Sequence, residues 1–71
     1  MQNEPLVSVV MATFNEPKQF IEESMSSILN QTYSNLELFI ADDSTNEETI
    51  KVIDDFARKD NRVIIIRKKE R

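Results

Sequence analysis

The feature that most constrains this chain is an alternation between two apolar rhythms, one of short continuous runs and one of helical period. Leu6 to Ala12 is a short apolar run, rich in β-branched residues, that follows Pro5 and reads as a strand. Thr13-Phe14-Asn15-Glu16 interrupts it. Pro17 follows at the expected first helical position, where its missing N–H is no loss. From Lys18 to Asn30 the apolar residues are Phe20, Ile21, Met25, Ile28 and Leu29, and positions 21, 25 and 28 share one helical face. After a polar turn, Gln31 to Asn35, Leu36 to Ala41 reads as a second strand. Asp42 to Asn46 is a loop with helix-cap chemistry, because Thr45 with Glu48, or Ser44 with Glu47, fits a capping box. The second helix is expected to run to about Lys59, with Ile50, Ile53, Phe56 and Ala57 on one face. Asp60-Asn61 turns the chain into a third strand, Val63 to Ile66, and a charged run from Arg67 to Arg71 ends it.

The order is therefore β-α-β-α-β, which argues for a parallel sheet with right-handed crossovers. Successive strand residues face opposite sides of a sheet. Val7, Val9 and Met11 share one face of the first strand, and Leu6, Val10 and Ala12 share the other. The third strand divides the same way, and both of its faces are apolar, as in sheets covered on both sides. Two right-handed crossovers progressing in one direction put both helices on one face. The other face is then expected to need further chain or a partner subunit, and a homo-oligomer through the exposed face would be one such cover. The expected architecture is α/β, a three-stranded parallel β-α-β-α-β piece of a larger domain.

Composition narrows the chemistry. The 71 residues contain no glycine, cysteine, histidine or tryptophan. Glycine-rich phosphate loops and dinucleotide fingerprints are excluded. So are disulfides, thiol catalysis and histidine-based triads. A metal would have to be a hard, oxygen-bound one such as Mg²⁺ or Mn²⁺. The net charge of −4 offers no footprint for nucleic acid. No apolar run approaches the ~20 residues that span a bilayer. The first five residues lack the basic and apolar regions of a signal peptide, so the sequon Asn30-Gln31-Thr32 is read as coincidental.

Ligands of open α/β sheets bind outside the carboxyl ends of the strands. Thr13-Phe14-Asn15-Glu16 and Asp42-Asp43-Ser44 are both expected there, side by side. Asp42 and Asp43, adjacent at a strand end, should point in opposite directions. One can anchor the neighbouring loop while the other reaches a ligand; alternatively both serve strand termination and helix capping. Phe14 could stack on a planar base or plug the core beneath the loop. Thr13 and Asn15 are favoured loop residues in any setting. Glu16 could instead serve the helix dipole. The basic end, Arg67 to Arg71, is read as solvated chain or the start of a further segment rather than as a phosphate or anionic-membrane contact, and Gln31 and Tyr33 as structural.

Three segments resemble a known family. Val7 to Glu16 is similar to the VSVIIPTYNE opening of family 2 glycosyltransferases, Ser27 to Tyr33 to their SIL-QTY helix end, and Leu36 to Thr45 to their EIIIVDDGSTD strand and loop. The resemblance implies a GT-A (Rossmann-like) nucleotide-binding fold, with residues 1–71 forming the N-terminal part of that domain and the metal-binding and acceptor-binding half absent. It implies an inverting enzyme that transfers a sugar from a nucleotide-sugar, of the UDP kind, to a saccharide or lipid-linked acceptor in polysaccharide or glycoconjugate synthesis. It places Thr13, Phe14 and Glu16 along the nucleotide pocket, Asp43 on the base and Asp42 in the loop; Asn15 belongs to the same nucleotide-binding set. It implies a divalent metal, Mn²⁺ or Mg²⁺, with ligands outside this chain, no catalytic residue within it, no activity of the segment alone, and a cytoplasmic location at or near the inner membrane face. Two departures stand out: Ala12 replaces the usual proline, and Asp43-Ser44 lacks the usual intervening glycine, so this loop must avoid a positive φ or be one residue shorter.

Two readings compete. A receiver-like signalling module also carries acidic pairs at strand ends, but its pair follows the first strand, which here ends in Ala12-Thr13. A non-catalytic α/β assembly fragment is the other.

Overall fold

The computed structural model describes residues 5–31 and 35–67. The turn residues 32–34, Tyr33 among them, and the charged end from Lys68 onward lie outside the described residues. The elements are β1 (Val7–Thr13), α1 (Lys18–Leu29), β2 (Leu36–Asp42), α2 (Glu47–Lys59) and β3 (Val63–Ile66). The strands form one parallel sheet in the order β1-β2-β3. This is the expected α/β arrangement. β1 and β2 each run one residue further than their apolar runs suggest, because Thr13 pairs with Asp42 across the ladder. β1 also begins at Val7 rather than Leu6.

Pro17 lies just outside α1 with φ −58° and ψ 145°, and its carbonyl accepts from the Ile21 N–H at 3.1 Å. No side chain caps this end. Ile21, Met25 and Leu29, four residues apart, form the buried stripe, and Ile28 packs beside it. Phe20 falls off the stripe and is half exposed.

The capping box expected at Ser44 or Thr45 is not formed. The N-cap of α2 is Asn46, whose side-chain oxygen accepts from the N–H groups of Glu48 and Thr49. The two hydroxyls are engaged elsewhere: Ser44 Oγ accepts from the Asn15 N–H, and Thr45 Oγ1 from Asn15 Nδ2. Glu47 and Glu48 in the first turn and Arg58 and Lys59 in the last complement the helix dipole. The buried stripe of α2 is also rotated from the expected one. Thr49, Val52 and Ile53 lie deepest, and Ile50 is only half-buried. Thr49 can occupy the core side because its hydroxyl donates to the Glu16 carbonyl at 2.8 Å.

Both helices cover one face of the sheet. Leu36, Leu38, Ile40 and Val63 meet Ile21, Met25, Val52 and Ile53 in a single core, with Val9, Met11 and Ile65 at its margin. The opposite face carries no element among the described residues. Val10, Phe39 and Ile64 lie in register across it, as do Ala12, Ala41 and Ile66. Val10 is 72% exposed there and Ile66 53%. The polar row of that face closes on itself, Ser8 Oγ donating to Glu37 Oε2 at 2.6 Å.

Candidate functional site

The parallel strands bring the Thr13–Glu16 and Asp42–Asn46 segments together at one edge. The junction starts in the ladder, where the Asp43 N–H donates to the Thr13 carbonyl at 3.0 Å. Strand alternation then separates the two aspartates. Asp42 points to the helix side with Leu38 and Ile40 and is 3% exposed. Asp43 is exposed on the other side.

Asp42 is fully engaged. Its Oδ1 accepts from Thr13 Oγ1 at 2.7 Å and from the Ser44 N–H at 3.1 Å. Its Oδ2 accepts from Arg67 Nε at 2.9 Å. Burial pushes this carboxyl up, but the hydrogen bonds from Ser44, Thr13 and Arg67 outweigh burial and hold it below its ordinary value of 3.8. Asp42 is thus an ionised anchor beneath the loops.

Asn15 is the second anchor. It has φ 56°, the only positive φ among the described residues. Asn tolerates this region better than most residues. Its Oδ1 accepts from the N–H groups of Thr45 and Asn46 at 2.8 and 2.7 Å, and its Nδ2 donates to Thr45 Oγ1 at 3.2 Å. The glycine-free loop after β2 needs no left-handed residue, as expected, because Asn15 supplies the turn that brings the two loops into contact. Glu16 is also committed, its Oε1 accepting from the Phe14 N–H at 2.6 Å.

Two groups are left to face outward. Phe14 is 63% exposed, and so is not a core plug. The Asp43 carboxylate has no hydrogen-bond or ion-pair partner among the described residues. The two flank a shallow depression of about 390 Å³, lined by Ala12, Thr13, Phe14, Glu16, Ala41 and Asp43. Ala12 and Ala41 lie opposite each other in the ladder, and their small side chains leave the floor open. Of the residues singled out from the sequence, Thr13, Phe14, Glu16 and Asp43 surround this space. Asn15 and Asp42 stand behind it, with their polar atoms turned to the protein. A depression of about 410 Å³ lies between the helices, lined by Val52 and Phe56 among others, and one of about 460 Å³ lies at the helix N-termini, lined by Pro17, Lys18, Gln19, Glu22 and Glu48.

Arg67, which the sequence alone assigns to the solvated basic end, belongs to this edge. Arg67, immediately after β3, donates to Asp42 and, through Nη1, to Asp54 Oδ1 of α2 at 2.9 Å. Its position was the available signal, since the third strand must end at the same edge as the other two. Among the described residues no three acidic side chains converge as a metal site.

The carboxyl edge of this parallel α/β unit thus presents an exposed aromatic ring and a carboxylate that has no partner among the described residues. The chain belongs to glycosyl transferase family 2, whose model matches residues 8–71. It is 42% identical over 69 residues to an uncharacterised glycosyltransferase of Haemophilus influenzae, covering 97% of this chain and 21% of that protein. It is 42% identical over 66 residues to one of Methanocaldococcus jannaschii, covering 92% of this chain and 23% of that protein. It is 40% identical over 62 residues to an Escherichia coli protein named UDP-Glc:alpha-D-GlcNAc-diphosphoundecaprenol beta-1,3-glucosyltransferase, covering 87% of this chain and 24% of that one. The chain thus spans between a fifth and a quarter of the length of these relatives.

Proposed function

We propose that this segment is the base-binding part of an inverting glycosyltransferase that moves a sugar from a UDP-sugar to an acceptor hydroxyl. The observation that carries the proposal is the pairing, around one depression, of an exposed Phe14 ring with an Asp43 carboxylate that has no partner among the described residues. A ring at that edge offers a stacking surface for a planar base. The carboxylate can accept from a base N–H, as the imide of uracil provides. Thr13 and Glu16 complete the wall, and Asn15 and Asp42 hold the wall in place. The receiver-like reading has no comparable support, because the aspartate at the end of β2 is buried against Arg67 and closed to a phosphoryl donor.

In the proposed reaction the acceptor oxygen bonds to the anomeric carbon as the bond to the diphosphate breaks, and a base removes the acceptor proton. That base and the ligands of a divalent cation, Mn²⁺ or Mg²⁺, are proposed to lie outside this chain; the described residues do not fit a metal. The cation would balance the charge of the leaving diphosphate. The acceptor is proposed to be a saccharide or a lipid-linked saccharide, in line with the name of the E. coli relative. The setting is proposed to be the cytoplasmic side of the membrane, in polysaccharide or glycoconjugate synthesis. Among the described residues no helix is long and apolar enough to cross a membrane.

Calorimetric titration of the complete protein with UDP and Mg²⁺ tests this. Asp43→Ala is expected to weaken binding by about 1–3 kcal/mol, the range for a buried donor left without its partner. Equal UDP affinity in wild type and Asp43→Ala would sink the assignment.

A further inference from the structure

Arg67 occupies a position that neither strand pairing nor surface solvation requires. It follows β3 directly, and its guanidinium reaches back to two other elements. Nε donates to Oδ2 of Asp42 at the end of β2, and Nη1 donates to Oδ1 of Asp54 in the middle of α2. The planar fork of arginine suits such a bridge; a lysine could satisfy only one of the two carboxylates well. The Asp42 side chain is wholly inaccessible, whereas that of Asp54 is 44% exposed, so the guanidinium carries charge from the surface to a buried acid. The other oxygen of Asp42 holds Thr13 Oγ1 and the Ser44 N–H. Ser44 Oγ in turn accepts from the Asn15 N–H. A continuous chain of polar contacts thus runs from α2 through Arg67 and Asp42 to both loops flanking the depression.

We infer that Arg67 is a positioning residue for the transfer reaction: by gripping Asp42 it holds the Thr13 and Ser44 ends of both loops, and so aims Phe14 and Asp43 at the nucleotide. The inference rests on the nucleotide-binding reading above. Arg67 itself faces the helix side of the sheet and does not touch the depression. The other charges around Asp42 are Asp54, which it meets only through Arg67, and Asp43, which points away to the opposite side. Without Arg67, Asp42 would be a buried carboxylate with neutral donors alone, close to a like charge on α2.

The test uses the complete protein and UDP with Mg²⁺. Arg67→Met is expected to raise the Kd for UDP about tenfold, the effect of losing one hydrogen bond to a charged group. Arg67→Lys, which restores the charge but not the fork, is expected to return Kd to within about threefold of wild type. A carbon-detected titration of the Asp42 carboxyl supplies a second readout: its midpoint should move upward in Arg67→Met with the circular dichroism unchanged. If Arg67→Met does not fold, Asp54→Asn removes the outer anchor of the same guanidinium and is expected to raise Kd about threefold, as for one exposed charged contact. Normal UDP binding by wild type with unchanged Kd in Arg67→Met would overturn the inference alone, whether or not the Asp42 titration moves. Absence of UDP binding by the wild-type protein would overturn the nucleotide reading and, with it, the role assigned to Arg67.

Discussion

Asn15 concentrates more local constraint than any other described residue at the site edge. Its backbone sits at φ 56°, and its amide group joins Thr45 and Asn46 to the first loop. Two substitutions separate the two roles. Asn15→Gly keeps the conformation and loses the side-chain bonds; Asn15→Ala loses both. Asn15→Ala is expected to cost roughly 4–5 kcal/mol in urea denaturation, from about 1 kcal/mol for each of the three side-chain hydrogen bonds plus about 1–2 kcal/mol for a positive φ without a compensating side chain. Asn15→Gly should cost measurably less. Equal losses would mean that the backbone conformation contributes nothing. The presence of Asn15 in a loop was legible in the sequence. Its role as the clasp between loops was not, because its partners lie about thirty positions away.

The elements differ in how they are terminated. α1 begins at Pro17 with no side-chain cap, whereas Asn46 caps α2 with two accepted N–H groups. Asn46→Ala should lower stability by about 0.5–2 kcal/mol, the usual range for loss of an N-cap, seen as a lower urea midpoint with unchanged slope. Ser44→Ala should act differently, loosening the contact with the Asn15 N–H while leaving helical content intact by circular dichroism. At the other end of α1, Arg62 donates to the Leu29 carbonyl while its fork grips Asp60, tying the helix terminus to the turn before β3. Element order was legible because apolar spacing changes period at each boundary. The cap of α2 was misplaced by one or two residues because Ser44, Thr45 and Asn46 are all good caps, and only the neighbouring loop decides which of them is free.

For the molecule as a whole, the two faces of the sheet have opposite energetic roles. Ile40→Ala on the helix-covered face is expected to cost about 2–5 kcal/mol, the range for a large-to-small change in a packed core. Val10→Ser on the open face should change stability of this chain by no more than about 0.5 kcal/mol, as at an exposed site. Chemical denaturation of both variants reads the contrast, and a large loss for Val10→Ser would mean that its face is covered in solution. Acid stability is also a property of the assembled fold. The Asp42 and Asp60 carboxyls are both held below their ordinary 3.8, Asp60 chiefly by the Arg62 side chain. A lowered folded-state value means the unfolded chain binds protons first, so their contribution is complete above pH 3.8 and is lost as pH falls through the folded values. Asp42→Asn should therefore flatten part of the acid limb of a stability–pH profile and leave the neutral region parallel to wild type.

Periodicity and alternation alone determined much of this protein: the β-α-β-α-β order, the parallel sheet, the shared edge for the two loops and the opposed directions of Asp42 and Asp43. These follow from local geometry, which repeats every two residues in a strand and every 3.6 in a helix. Tertiary structure decided which polar groups were already used. It sent Ser44 and Thr45 to Asn15, left Asn46 to cap α2, placed Thr49 against the Glu16 carbonyl and joined Arg67 to Asp42. A hydrogen-bonding group can serve few partners at once, and its choice depends on residues distant in sequence but adjacent in space. What remains unclaimed among the described residues after those choices, the Phe14 ring and the Asp43 carboxylate, is the part of the edge proposed to meet the nucleotide base.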